Sequence, residues 1–245
     1  MSNAAHQQTP ERVPRRGDPL PTGDDKTVAV RSMFDSIAGR YDVVNRLMTF
    51  GMDVRWRTSA IDSLGLSPGD RILDLACGTG DMALEISECG GVPIGVDLSH
   101  GMLAAAREPF PRAQCDALAL PLPDALLDGA TCGFALRNFT DLGATLVEMA
   151  RVLRPGARIA LLDVAEPPNR LMAFGHGIYF NRVVPMVGGM LSDRDAYSYL
   201  PRSVAYMPPS EELLALVHRA GFTSIDRTLL SGGISQLIRA TRSAP

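Results

Sequence analysis

Residues 77–83, Cys77-Gly78-Thr79-Gly80-Asp81-Met82-Ala83, place two glycines and an alanine at the GxGxxA spacing that brings a backbone close to a nucleotide at a helix N-terminus. Asp97, at the end of the next apolar run, could accept hydrogen bonds from ribose hydroxyls. Two chemistries share this pattern: hydride transfer with a dinucleotide, and group transfer from a charged nucleoside. The flanking charge separates them. A pyrophosphate needs uncancelled N–H dipoles, whereas here Asp74 lies four residues before Gly78 and Asp81 directly follows Gly80. Two carboxylates beside the loop favour a ligand carrying an ammonium and a sulfonium. Helix capping accounts for Asp81 taken alone equally well.

S-adenosyl-L-methionine is such a ligand. Asp116-Ala117 supports the nucleoside, since a carboxylate and a backbone amide there could address the adenine edge. In isolation that Asp is an ordinary turn opener; its place after a third strand, in line with Asp74 and Asp97, favours the ligand. A nicotinamide or flavin cofactor stays open as the rival.

The elements that must position these residues alternate. Strands are expected at Arg71 to Ala76, Val92 to Asp97, Ala113 to Cys115, Asp128 to Phe134 and Ala157 to Val164. Helices fall between them at Asp81 to Cys89, His100 to Arg107 and Leu142 to Leu153. Such alternation implies parallel βαβ units with right-handed crossovers. The fold class is therefore α/β: a Rossmann-like, doubly wound, mostly parallel sheet. A helix from Ser210, its expected N-cap, to Ala220 leads into strands Ser224 to Leu230 and Ile234 to Ala240, a C-terminal antiparallel hairpin. Residues 1–25 read as a disordered tail, 26–66 as an N-terminal helical cover broken near Gly51, and 67–165 as the cofactor-binding core. Residues 166–209 read as a lid, with a helix over Leu171 to Leu191, and 210–240 as the terminal helix and hairpin.

The chain has 245 residues, 46% of them hydrophobic, and a formal charge of −3. That apolar fraction supports a core, and the slightly acidic balance makes nucleic acid a poor partner. No apolar run is long enough to cross a bilayer. Apart from Lys26, every basic residue other than histidine is arginine. Cys77, Cys89, Cys115 and Cys132 contain no CxxC pair and read as reduced core thiols of a cytoplasmic protein. The four histidines, His6, His100, His176 and His218, show no ligand spacing, so no metal is expected.

The run Leu73-Asp74-Leu75-Ala76-Cys77-Gly78-Thr79-Gly80-Asp81 resembles the cofactor motif of the class I S-adenosylmethionine-dependent methyltransferases. Further blocks are similar to the menaquinone and ubiquinone biosynthesis C-methyltransferases: Met33-Phe34-Asp35-Ser36-Ile37-Ala38, Arg40-Tyr41-Asp42, Asn45 and Arg55-Trp56-Arg57 early, then Leu136-Arg137-Asn138, Tyr197-Ser198-Tyr199-Leu200, Ser203-Val204 and Gly232-Gly233. The resemblance covers about Val30 to Ala240. It implies that Thr79, Asp97, Asp116 and Ala117 bind the cofactor, that Gly78 and Gly80 give close approach, and that Tyr41 covers the methionine end. A Ser usual in the family is replaced by Gly133, so contact there is expected from backbone. A His usual near the end of the last strand is replaced by Ile238, which would alter substrate placement if that His touches the ring.

The implied reaction is methylation of a ring carbon in a prenylated quinol, demethylmenaquinol to menaquinol. A benzoquinol or another phenolic or lipid acceptor is the alternative, and an NAD-dependent oxidoreductase or a catalytically silent cofactor-binding module are remoter ones. A phenol with pKa near 10 carries a handicap of roughly 4 kcal/mol at neutral pH. A guanidinium at about 4 Å in a half-shielded site supplies a similar amount. Arg137, with Asn138, is expected to favour the phenolate without a dedicated carboxylate base. Phe34, Phe174, His176 and Ile178 are the expected substrate contacts, within an apolar run that also includes Leu171, Tyr179, Val183, Val184, Met186, Val187 and Met190. An isolated stripe of this kind is more often ordinary core. A lipid acceptor requires transient, peripheral contact with a membrane surface, at this segment or at the N-terminal helices with Arg40, Arg46, Arg55 and Arg57. Room for a homodimer is left.

Overall fold

A computed structural model describes residues 19–179, 182, 186, 199 and 201–244. Its centre is a seven-stranded sheet: β1 Arg71–Leu75, β2 Val92–Asp97, β3 Arg112–Gln114, β4 Leu127–Gly133, β5 Leu153–Val164, β6 Phe222–Leu230 and β7 Ser235–Arg242. The spatial order is β3-β2-β1-β4-β5-β7-β6. The first five strands run parallel, and β7 lies antiparallel between β5 and β6. Strand order reverses direction between β1 and β4, which opens a crevice at their carboxyl ends, where ligands bind in such sheets.

Both faces of the sheet are buried because successive residues of a strand point to opposite sides and each side meets helices. Leu73, Leu75, Ile159, Leu161 and Ile238 enter one core with α6 (Leu142–Val152) and the terminal helix α8 (Ser210–Arg219). Ile72, Ala160, Leu162 and Leu237 enter the other with α3 (Met52–Leu64) and α4 (Asp81–Glu88). Each fully buried Leu or Ile contributes about 1.5–3 kcal/mol. Ile238 lies in the first core and lines neither cavity described below.

The cover consists of α1 (Gly23–Ile37), a 3-10 turn over Ala38–Arg40, α2 (Tyr41–Met48) and α3. Val30, Met33, Ile37, Val44 and Tyr199 form its own small core. Gly51, at φ +74, makes the expected break before α3. The boundary drawn at residue 25 is too late. Gly23, Asp24 and Asp25 already form the first turn of α1, where acidic side chains suit the helix dipole. Leu20 packs on the cover core, and the Pro21 carbonyl accepts from the Tyr206 hydroxyl. Residues 1–18 lie outside the described residues.

Other boundaries move for local reasons. β5 starts at Leu153, not Ala157, because Leu153 pairs with Leu127 ahead of a register shift. Ser210 is the first residue of α8 and not its cap; Pro209 holds that position, and the Ser210 side chain makes no capping bond. Cys89 is exposed at the end of α4, unlike the buried Cys77 and Cys132. In the lid, α7 spans Arg170–Ile178. Of the run beyond it, Val183, Val184, Val187 and Met190, with Tyr197, Ser198 and Leu200 of the later block, lie outside the described residues. No helix among the described residues is long and apolar enough to cross a membrane.

Candidate active site

The loop after β1 turns on left-handed glycines. Gly78 has φ +56 and Gly80 φ +91, a region that costs other residues strain. A Cβ at Gly80 would stand 2.5 Å from the Phe110 ring. Asp97 fastens this turn: one carboxylate oxygen accepts from the Gly78 amide at 2.8 Å and the other from the Ser99 amide at 2.8 Å. Burial still raises the Asp97 pKa, against those amides. The loop, with Asp74, Thr79, Asp81, Asp97, Asp116, Ala117, Gly133, Asn138, Phe34 and Tyr41, lines one cavity at the crevice. The structure thus brings together the residues expected at the cofactor except Gly80, which is a turn residue and does not line the cavity.

Polar satisfaction within this cavity is uneven. Asp74 is 1% exposed and its Oδ2 has no partner; burial, then the neighbouring Asp97 charge, pushes its pKa up to about 8. Both polar atoms of the buried Asn138 amide also lack partners. Buried polar groups without partners are costly, so two in one cavity call for a ligand that both donates and accepts. An ammonium-bearing nucleoside fits this set, whereas a pyrophosphate would meet carboxylates. Asp81 is engaged otherwise. It pairs with Arg57 at 2.8 Å, and Arg57 also pairs with Asp53 at 2.6 Å. Thr79 donates to Asp42 of α2 at 2.6 Å, and Asp116 accepts from the Leu118 amide, the turn contact its sequence context suggested. At Gly133 a Cβ would lie 2.7 Å from the Met82 sulfur, so a serine there would require Met82 to shift.

A second chamber of about 410 Å³ adjoins the first. Phe34, Tyr41 and Phe134 line both. Trp56 and Met52 of α3, Asn45 and Met48 of α2, Thr49 and Phe50 just past it, Arg137, Val164, Ile234, Met172 and Gly175 of α7, and Tyr179 just beyond α7 enclose the rest. Among the described side chains lining it there is no carboxylate and no imidazole. Burial pushes the Tyr41 phenol up to about 12, so it stays neutral. Phe174 and Ile178 do not reach this chamber. They are exposed on the other face of α7, one position out of register with the lining residues. His176 belongs to α7, but its side chain lies outside the described ones.

Residues 22–242 match the model of the ubiE/COQ5 methyltransferase family. The chain belongs to that family. It is 42% identical over 215 residues to a demethylmenaquinone methyltransferase of Thermus thermophilus, covering 84% of this chain and 97% of that one. It is 41% identical over 226 residues to a ubiquinone/menaquinone biosynthesis C-methyltransferase UbiE of Syntrophotalea carbinolica, covering 88% and 94%. Among solved structures, a SAM-dependent methyltransferase from Thermotoga maritima, described as a possible histamine N-methyltransferase, superposes with TM-score 0.62 at 21% identity. It covers 87% of this chain and 99% of that one, a likeness of fold. The enzyme is a methyltransferase and its cofactor is S-adenosyl-L-methionine.

Arg137 lines the wall of the methyltransferase's second chamber. Arg137 is buried, donates through Nε to the Ser203 hydroxyl at 3.0 Å and through Nη1 to the Phe134 carbonyl at 2.9 Å, and pairs with the Asp163 carboxylate. Asp163 is fully buried on β5, and its second oxygen has no partner. Asp163 is thus the buried counter-ion of Arg137, and it lines neither cavity. The sequence reading also missed Arg57 and Asp163. Arg57 was expected among the arginines of a membrane-facing surface, but it is 5% exposed, because it pairs with Asp53 and Asp81 and so joins α3 to the glycine loop, a bridge that needs the tertiary fold. Asp163 carried no signal beyond being a charge inside the apolar run of β5.

Proposed function

We propose that this methyltransferase C-methylates the ring of a prenylated naphthoquinol, converting demethylmenaquinol to menaquinol. The observation that carries the reading is the apolar chamber sharing Phe34, Tyr41 and Phe134 with the cofactor cavity. That arrangement suits a donor on the polar side and a flat, water-poor acceptor on the other. The names of the relatives agree with it.

In this reading Asp97 takes the ribose hydroxyls through its remaining lone pairs, and Asp116 with the Ala117 amide takes the adenine. Asp74 receives the ammonium, while Gly78, Thr79, Gly80 and Gly133 shape the backbone against the methionine portion. When bound, S-adenosyl-L-methionine supplies an electrophilic methyl group. The chain's residues do the remainder. Arg137, held by Asp163, Ser203 and the Phe134 carbonyl, donates hydrogen bonds to the acceptor oxygen. Asn138 orients the reactants from the cofactor side. Trp56, Phe134 and Phe34 line the chamber away from bulk water, which favours transfer of the methyl group from sulfur to the phenolate's ring carbon with loss of both charges, the hydroxyl proton before it and the ring hydrogen after it passing to solvent as protons. Holding the ring carbon at near-attack distance contributes further.

The test is incubation of the purified enzyme with methyl-labelled S-adenosyl-L-methionine and demethylmenaquinol, against a demethylated benzoquinol, followed by mass spectrometry of the lipid. The expected result is a labelled naphthoquinol one methyl heavier. Label in the benzoquinol alone would replace the acceptor, and label in neither would overturn the reading.

A further inference from the structure

The segment chosen from the sequence for substrate contact, Phe174 to Ile178, turns its largest side chains outward. Phe174 is 69% exposed, and Ile178 and Met186 are exposed beyond it. The neighbouring α2 does the same. Val43 and Leu47, one helical turn apart, are exposed, and Phe50 just past the helix end is 77% exposed. The two groups meet: the Tyr179 hydroxyl donates to the Met48 carbonyl at 2.7 Å, and the Phe50 and Tyr179 rings lie 5.7 Å apart. Phe50 also sits at φ +52, a left-handed conformation uncommon for an aromatic residue. A large apolar side chain kept both strained and in water points to a role outside the free chain's own packing.

Charge and continuity decide what covers this face. Arg46 on α2 has a 55% exposed side chain, and Arg182, four residues beyond Ile178, is exposed as well. The one acid of α2, Asp42, is turned inward to Thr79. Arg46, next to Leu47 on α2, also lies 4.0 Å from Asp81, and Arg182 follows Ile178 by four residues, so exposed arginines neighbour these apolar residues in a chain whose total charge is −3. Phe50 and Met172 are at once exposed and part of the chamber lining, so the chamber opens through this face.

We propose that the face formed by Val43, Leu47, Phe50, Phe174 and Ile178 docks on an anionic phospholipid bilayer, so that the acceptor chamber opens into the lipid. The proposal rests on the reading of a lipid-borne acceptor. A second copy of the chain docked here would close the same opening, whereas a bilayer supplies the acceptor through it. Apolar insertion with flanking arginines is the pattern of interfacial binding.

The experiment is flotation of the enzyme with vesicles of phosphatidylcholine alone or mixed with phosphatidylglycerol, without acceptor or methyl donor. It is done for the native chain and for Leu47→Asp and Arg182→Glu, neither of which lines a cavity. The native enzyme should float with the mixed vesicles and lose that binding at high salt. Leu47→Asp should bind at least about tenfold more weakly with unchanged melting temperature. Both variants should methylate a detergent-soluble short-chain acceptor at the native rate and a vesicle-embedded one more slowly. Absence of flotation, or equal flotation of native and Leu47→Asp enzyme, overturns the proposal. Concentration-dependent dimerisation that Leu47→Asp abolishes, without lipid binding, would assign the face to a second copy. Because flotation is read without turnover, its failure is distinguishable from failure of the acceptor assignment.

Discussion

The two cavities meet at Tyr41, Phe34 and Phe134 yet are built by opposite means. The polar groups of the cofactor side come mostly from short loops at the ends of β1, β2, β3 and β4, each at a fixed offset from its strand, while α1 and Tyr41 close it from above. The acceptor side collects α2, α3, the Phe134 to Arg137 turn, the end of β5, α7 and Ile234. Directional hydrogen bonds demand particular residues at particular offsets, whereas apolar volume can be enclosed by many combinations of side chains. Selectivity for the donor is thus local in the chain, and selectivity for the acceptor is tertiary.

The largest expected effect tests whether that division holds at their shared wall. Arg137→Ala leaves the fully buried Asp163 without a counter-charge, and breaking such a pair costs about 3–5 kcal/mol. Urea titration should show that loss. The double variant Arg137→Met, Asp163→Leu removes both charges and should regain most of the stability while methyl transfer stays abolished. If the double variant turns over normally, Arg137 is a structural residue and the acceptor side has no polar group of its own on this wall.

A smaller effect isolates the cofactor side. The Asp74 carboxyl is raised from 3.8 to about 8 by burial and by Asp97. As pH rises above 3.8 the unfolded chain gives up this proton while the folded chain keeps it. Asp74 therefore contributes stability that is full below 3.8 and is lost progressively as pH rises toward about 8. Asp74→Asn, neutral throughout, should remove this slope from thermal melts of the cofactor-free enzyme and melt higher than the native chain near pH 8. The same variant should be stabilised less by S-adenosylhomocysteine, since a hydrogen bond to a charged partner is worth about 1.5–3 kcal/mol. A slope that survives in Asp74→Asn would move its origin to another group.

The same division explains what could be read from the sequence. Asp74 and Asp97 stand at the ends of β1 and β2 and Asp81 opens α4, all fixed by the βαβ alternation, so their juxtaposition follows once the strands are placed. The face of α7 did not follow, because both faces are apolar: Met172, Gly175 and Tyr179 point in while Phe174 and Ile178 point out, and periodicity cannot choose between them. The Arg137–Asp163 pair spans a parallel strand pairing, β4 to β5, whose register no local pattern encodes. The start of α1 at Gly23 was hidden because acidic residues in a first helical turn resemble a polar tail.

Gly133 offers the smallest effect and the finest test of the boundary between the cavities. A Cβ there meets the Met82 sulfur at 2.7 Å, and Met82 is itself buried beneath the cofactor cavity, with its sulfur 3.6 Å from the Thr131 hydroxyl. Gly133→Ser, which installs the residue usual in similar sequences, should overpack this point and cost about 1–3 kcal/mol in the melt. Methionine is unbranched and can rotate away, which places the expectation at the lower end of that range. Combining it with Met82→Ala should give a coupling of opposite sign to the single losses, because each change makes room for the other. If Gly133→Ser instead tightens S-adenosylhomocysteine binding with no loss of stability, the hydroxyl contributes to the cofactor directly and Met82 yields freely. If the coupling is found with unchanged cofactor affinity, the glycine serves packing alone and the donor is held by backbone at this position.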